Sequence, residues 1–299
     1  MSKYLIKGAS LYGEKVADIL IEDGVISRIA ENIDAADAQV VEAAGQVALP
    51  GLVDIHTHLR QPGYEASETV ETGTRAAALG GYTAVFAMAN SMPVADTAAV
   101  VEQVDRLGKE SGWCRVQPIG AVTVGLKGER LSDIGGMANS TANVRVFSDD
   151  GMCVYDPAVM RRALEYVKTF DGVIAQHAQE PRLTEGAQMN EGKVSADLGL
   201  TGWPAVAEEA IIARDVLLAE HLDSKLHICH LSTKGSIEVV RWAKSRGVKV
   251  TAEATPHHLL LTDETARTYD PIFKVNPPLR TEEDVMALRQ AVADGIIDV

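Results

Sequence analysis

Residues 50–63 read PGLVDIHTHLRQPG, an apolar run that ends abruptly in His56, Thr57 and His58. Leu52, Val53 and Ile55 ahead of the first histidine read as a mainly apolar buried strand, and the Pro-Gly pairs at both ends punctuate it. Side chains alternate along a strand, so His56, His58 and Arg60 share one face if the extended geometry continues. Two imidazoles on one side at the C-terminal end of a strand suit a single metal ion, and that end is where parallel α/β barrels collect their chemistry. A lone histidine would read as a satisfied core or surface residue, whereas His-x-His at a strand exit reads as a metal site.

Outward from this stretch, short apolar runs alternate with longer helical segments, the pattern of βα units around a parallel sheet. The runs are LVDIH (52–56), TAVFAM (83–88), RVQPIGA (115–121), VRVF (144–147), GVIAQH (172–177), KLHICH (225–230) and KVTAE (249–253). Between them, residues 69–79, 98–110, 157–168, 205–221, 235–245 and 282–293 carry apolar residues at helical spacing. The expectation is an α/β chain with a TIM-type (β/α)8 barrel over residues 51–299. Gly295 to Val299 look like the start of the eighth strand, so the barrel reads as incomplete there and the chain as a truncated one. Residues 1–50 read instead as short strands with turns, at 4–6, 17–21, 25–30 and 40–42, giving a small N-terminal β-sandwich module that lacks a C-terminal complement. Residues 181–204 are few in apolar side chains and read as a long loop over the active face.

Composition sets outer bounds. A chain of 299 residues with 46% apolar content buries a substantial core. A formal net charge of -14 argues against nucleic acid or an anionic membrane as partner. Small anionic substrates stay open, because one arginine in a focused cleft outweighs a diffuse acidic surface. Cys114, Cys153 and Cys229 are an odd, widely spaced set, which is no disulfide framework and points to a reducing cytoplasm. Neither a signal peptide nor a membrane-length apolar stretch is visible.

Three more candidates fall at the ends of later strands: Asp149-Asp150, His177 and His230. His177 closes GVIAQH and His230 closes KLHICH, and the repetition across strands marks both as ligands. His227 and Cys229 lie an odd number of residues from His230, so in a regular strand they face away from it and read as structural. Asp149-Asp150-Gly151 is also ordinary turn chemistry. A carboxylate is favoured if a second ion is present, since a bridging oxygen ligand lets two cations sit about 3.5–4 Å apart around a shared water. Four histidines and one aspartate supply such a site.

The chain resembles the dihydroorotases of the class that associates with aspartate carbamoyltransferase, within the amidohydrolase superfamily. The motifs that carry the resemblance are PGLVDIHTHLRQPG, VETGTRAAALGGYT, MANSMP, FSDDG, AQHAQEPRL, HICHLST, TAEATPHHLLL and KVNPPLR, in that order along nearly the whole chain. It implies two zinc ions, one on His56 and His58, the other on His177 and His230, with Asp150 bridging both. Related hydantoinases and dihydropyrimidinases place a carboxylated lysine at the bridge; the aspartate of FSDDG supports dihydroorotase. It also implies substrate contacts from His58, Arg60, Asn90 and Asn276. Arg60 suits a carboxylate because its planar fork binds two oxygens at once. The usual motif has proline and threonine around the asparagine, where this chain reads Met88-Ala89-Asn90-Ser91. His257-His258 also matches and is read as orienting or structural.

The reaction so implied is the reversible interconversion of dihydroorotate and N-carbamoyl-aspartate in pyrimidine synthesis, in a cytoplasmic homo-oligomer, with aspartate carbamoyltransferase as a candidate partner. The catalytic aspartate of the family is expected past Val299, so none of residues 1–299 takes that role and this span is expected to be of low activity. The competing readings are a hydantoinase- or allantoinase-type hydrolase and a non-catalytic dihydroorotase-like scaffold subunit.

Overall fold

The computed structural model describes residues 2–299. Two compact units are present, Met1–Leu52 and Val53–Val299. The first is a five-stranded sheet of β1 (Lys3–Leu11), β2 (Lys15–Glu22), β3 (Val25–Ala30), β4 (Gln39–Glu42) and β5 (Val47–Ala48). β1 and β2 form an antiparallel pair, while β4 and β5 lie parallel to β1. Asp18 of β2 is buried and accepts hydrogen bonds from the backbone of Gly8 and Ile33, which ties β1 and the segment after β3 together. Val25, Ile26, Ile29, Val40 and Val41 remain exposed.

The second unit alternates strands with helices. Its strands are β6 (Leu52–Thr57), β7 (Tyr82–Ala87), β8 (Arg115–Pro118), β9 (Val146–Phe147), β10 (Val173–Gln176), β11 (Met189–Asn190), β12 (Gly202–Trp203), β13 (Leu226–Ile228) and β14 (Val250–Ala252). Its helices are α1 (Val70–Leu79), α2 (Ala98–Ser111), α3 (Ile134–Asn139), α4 (Pro157–Val167), α5 (Lys193–Leu198), α6 (Val206–Leu222), α7 (Lys234–Ser245), α8 (Pro256–Leu260) and α9 (Glu282–Ala293). β6, β7 and β8 make one sheet in chain order, β9, β10, β13 and β14 a second. A parallel bridge from Gly120 to Phe147 links them. Consecutive strands therefore neighbour one another, and the register Ile174 to Leu226 to Val250 brings their C-terminal ends level. Beyond β14, Asp298 and Val299 donate backbone hydrogen bonds to Ala252, and Ala254 donates to Val299.

The helices start where the sequence supplies caps. Asp156 accepts from the amides of Ala158 and Val159, with Pro157 pre-set for the first turn of α4. Thr233 caps α7 in the same way through Ser236, and Thr281 and Asp284 cap α9 reciprocally. One large cluster of buried apolar residues, including Ile174, Leu226, Ile228, Leu164, Ile212 and Val240, fills the space between the second sheet and α4, α6 and α7. A smaller cluster of Met88, Ile119, Ala175 and Cys229 lies on the opposite side of the strands. Side chains are thus buried on both strand faces, which is why these runs read as continuous apolar stretches. Residues 181–204, expected as plain loop, hold the β11–β12 pair and α5.

Candidate metal centre

At the C-terminal ends of these strands four imidazoles surround one carboxylate. His56 Nε2, His177 Nδ1 and His230 Nε2 each lie 3.3 Å from Asp150 Oδ1, and His58 Nε2 lies 3.3 Å from Oδ2. Asp150 and His177 are almost fully buried, and His230 nearly so. A hydrogen bond to a charged oxygen is shorter, about 2.7–2.9 Å. Two donors on one tetrahedral zinc, at bond lengths near 2.0–2.2 Å, are separated by roughly 3.3–3.5 Å. All four contacts match that second spacing. The His177 Nδ1 to His230 Nε2 distance of 2.9 Å is tighter and within hydrogen-bond range, so that pair would open slightly on sharing an ion.

Three of the four inward-facing nitrogens are left as acceptors by what their partner nitrogens do. His56 Nδ1 donates to Glu253 Oε1 at 2.5 Å, His58 Nδ1 to Asn90 Oδ1 at 2.9 Å, and His177 Nε2 to Gln179 Oε1 at 2.8 Å. With the proton held outward, the lone pair of the other nitrogen points at Asp150, the arrangement typical of ligating histidines. Glu253 also accepts from the His230 amide and from His227 Nε2, so one carboxylate orients two strand tips. His56, Cys229 and Glu253 form a further close group of donors. The 2.5 Å nitrogen–oxygen contact within it is a hydrogen bond, shorter than two ligands of one ion stand apart, and Glu253 is therefore an orienting group.

Charge follows from these contacts. Burial opposes ionisation of Asp150, but the facing imidazoles of His177, His230 and His56 outweigh it and hold the carboxyl well below its ordinary range. Burial likewise opposes protonation of His56, yet Asp150, Cys229 and Glu253 reverse the balance and the net direction is up. His58 and His230 go down, chiefly through burial. Asp150 is thus ionised with His58 and His230 neutral beside it, and a dication would displace the proton that His56 otherwise keeps.

Two sequence expectations change in detail. His227 and Cys229 do not turn away from the centre: His227 bonds Glu253, and Cys229 joins the group around His56. The alternation rule fails because His230 has φ 33, a left-handed backbone that swings its ring back among residues it should oppose. Arg60 does not continue the β6 face, since the strand ends at Thr57 and Arg60, with φ 58, is exposed. Asn90 is engaged by His58. Two further residues serve the centre, Gln179 just past β10 and Glu253, whose place at the close of KVTAE matches the places of His177 and His230 at the ends of their runs.

A cavity of about 420 Å³ opens beside the centre, lined by His56, His58, His230, Glu253, His257 and Asn276 among others. It is large enough for a small heterocycle, and Asn276 stands on its wall.

Residues 45–236 match the protein family described as Dihydro-orotase-like. A dihydroorotase of Streptomyces coelicolor is 71% identical over 299 residues, spanning 100% of this chain and 70% of that relative's length. The chain belongs to the dihydroorotase family. The dihydroorotase of Mycobacterium tuberculosis is 55% identical over 98% of this chain and 69% of its own. Family membership makes the chain a hydrolase of cyclic amide bonds. Among solved structures, the L-hydantoinase (dihydropyrimidinase) of Arthrobacter aurescens superposes with a TM-score of 0.80 at 23% identity, over 100% of this chain and 68% of that one. The dihydropyrimidinase of Brevibacillus agri gives 0.78 at 22%, over 99% and 67%. Those two share the fold with the dihydroorotase family. Among the described residues, no helix is long and apolar enough to cross a membrane.

Proposed function

We propose that His56, His58, Asp150, His177 and His230 hold two zinc ions with Asp150 between them. With these ions the chain interconverts (S)-dihydroorotate plus water and N-carbamoyl-L-aspartate, the third step of UMP synthesis. The observation that carries the metal reading is the uniform 3.3 Å spacing of four imidazole nitrogens about one buried carboxylate. Imidazole with carboxylate is a donor set that suits zinc. When bound, the zinc pair supplies a Lewis acid for the ring carbonyl and activates the attacking water.

The chain's own residues hold this centre in shape. Glu253, Asn90 and Gln179 fix the tautomers of His56, His58 and His177. Asn276 offers an amide to the substrate from the cavity wall, which His58 also lines, and Asn90 is hydrogen-bonded to His58. Arg60, exposed two residues past His58, takes the substrate carboxylate. Its left-handed backbone, φ 58, is of the kind that costs about 1–2 kcal/mol and persists where a side chain must be aimed. The proton-transfer role is assigned to none of residues 1–299.

The same reading covers architecture and setting. The seven consecutive strands from β6 to β14, leaving out the short β11–β12 pair, belong to a (β/α)8 barrel, with Asp298 and Val299 at the start of the eighth. The exposed apolar residues of the N-terminal sheet are those a second layer of a sandwich would cover. A cytoplasmic homo-oligomer, with aspartate carbamoyltransferase as candidate partner, follows from family resemblance alone. The test is turnover of dihydroorotate, hydantoin and allantoin by the full chain before and after chelation. Dihydroorotate turnover that is lost on chelation and restored by zinc supports the reading. Preference for hydantoin or allantoin, or indifference to chelation, overturns it.

A further inference from the structure

Behind the metal centre a single arginine ties three loops together. Arg280 is 1% exposed. Its Nε donates to Ser232 Oγ at 3.0 Å, and its Nη1 donates to Asn190 Oδ1 at 3.0 Å and to the Trp203 carbonyl at 2.8 Å. Asn190 in turn donates to Asp263, whose amide donates to the carbonyl of Arg280. Ser232 is two residues past His230, and the buried Glu208 accepts from both its amide and its hydroxyl. One guanidinium thus joins the tip of β13, the β11–β12 excursion and the segment from 262 to 281.

A buried cation is an expensive way to hold a loop. Among the described residues, Nη2 of Arg280 finds no hydrogen-bond acceptor, and the Glu208 carboxylate stays 3.9 Å away. Apolar residues of equal volume would stabilise the fold at least as well. What they would not supply is a fixed direction, and a planar fork with three acceptors does. The direction matters because Asn276 is separated from Arg280 only by Pro277, Pro278 and Leu279, two of which have locked φ angles. His258 adds a second anchor, with Nε2 3.1 Å from the Pro277 carbonyl. Asn276 itself is exposed and stands on the cavity wall.

We propose that Arg280 is a positioning residue for the substrate, a clamp that sets where Asn276 stands over the metal centre. The inference rests on the reading of Asn276 as a substrate contact. It is tested by steady-state kinetics of the full chain with dihydroorotate for Asn276→Ala, Arg280→Lys, their double variant and Asn190→Ala, with zinc content measured on each. Arg280→Lys raises KM about tenfold, with kcat changed far less and zinc content unaltered. Because it acts through Asn276, the double variant has a KM no higher than Asn276→Ala alone. Asn190→Ala removes one acceptor without touching the charge and raises KM in the same direction, which keeps the test intact if Arg280→Lys fails to fold. An unchanged KM in folded Arg280→Lys, an additive double variant, or parallel loss of kcat and zinc each overturns the clamp. An unchanged KM in Asn276→Ala overturns the underlying reading instead, and the two failures are told apart by that single variant.

Discussion

Replacing Glu253 isolates what orientation contributes to metal binding, because this carboxylate touches no other candidate ligand atom than the ring it steers and the backbone of His230. It is buried and accepts from His56 Nδ1 at 2.5 Å, the His230 amide at 3.0 Å and His227 Nε2 at 3.1 Å. Glu253→Gln keeps the shape and an oxygen for His56 and the amide, but removes the charge. A hydrogen bond to a charged group contributes about 1.5–3 kcal/mol against about 0.5–1.5 for a neutral one. The loss at His56 is then about 1–2 kcal/mol, or roughly 5- to 30-fold in the dissociation constant of the ion it holds. Glu253→Ala removes the acceptor altogether and should approach the hundredfold end of what such orienting partners contribute, about 10- to 100-fold. The assay is competition between metal-stripped protein and a chromophoric chelator for zinc, with folding checked by denaturant unfolding. One of two binding steps weakens in the order Gln then Ala, and the other stays near the parent. Parent-like affinity for both steps in a folded Glu253→Ala would refute the orienting role.

Other outcomes follow from the same geometry. Asp150→Ala leaves four imidazoles with no common anion, and zinc content by elemental analysis falls from two per chain to one or none; retention of two would count against the bridge. Burial holds the imidazole of His258 down to about 3 from an ordinary 6.5. The unfolded chain takes up that proton first, so the stability from neutral His258 is present above pH 6.5 and is lost as pH falls towards 3. Between pH 7 and 5 the loss is roughly 2 kcal/mol more in the parent than in His258→Gln, as read from denaturant midpoints at each pH. Thr233→Ala deletes the cap of α7 that receives Ser236 N, and costs about 1 kcal/mol in thermal or denaturant unfolding.

Much of the fold was legible because strands such as β10 and β13 are buried on both faces and helices such as α2, α4 and α7 are amphipathic. The run 282–293 and α9 coincide, and the other five expected helices differ from those observed by no more than a residue or two at either end. Short elements such as α3, α5 and α8 escaped because five or six residues carry too little periodicity to stand out. At the site, histidines at strand ends were readable as chemistry. Which way they point was not: His230 and Arg60 take positive φ, and strand parity says nothing once the backbone leaves the extended region. Glu253 and Gln179 lay hidden for another reason. Their contacts with His56 and His177 span 197 and 2 residues respectively, and only the level ends of the strands bring the first pair together.

The most direct measurement is anomalous diffraction at the zinc edge from crystals of the purified chain grown with zinc. Two peaks are predicted, about 3.5–4 Å apart, one between His56 and His58 and one between His177 and His230, each within bonding reach of a different Asp150 oxygen. A zinc-replete crystal with no anomalous peak within reach of Asp150, or with zinc only on surface carboxylates, would contradict the account.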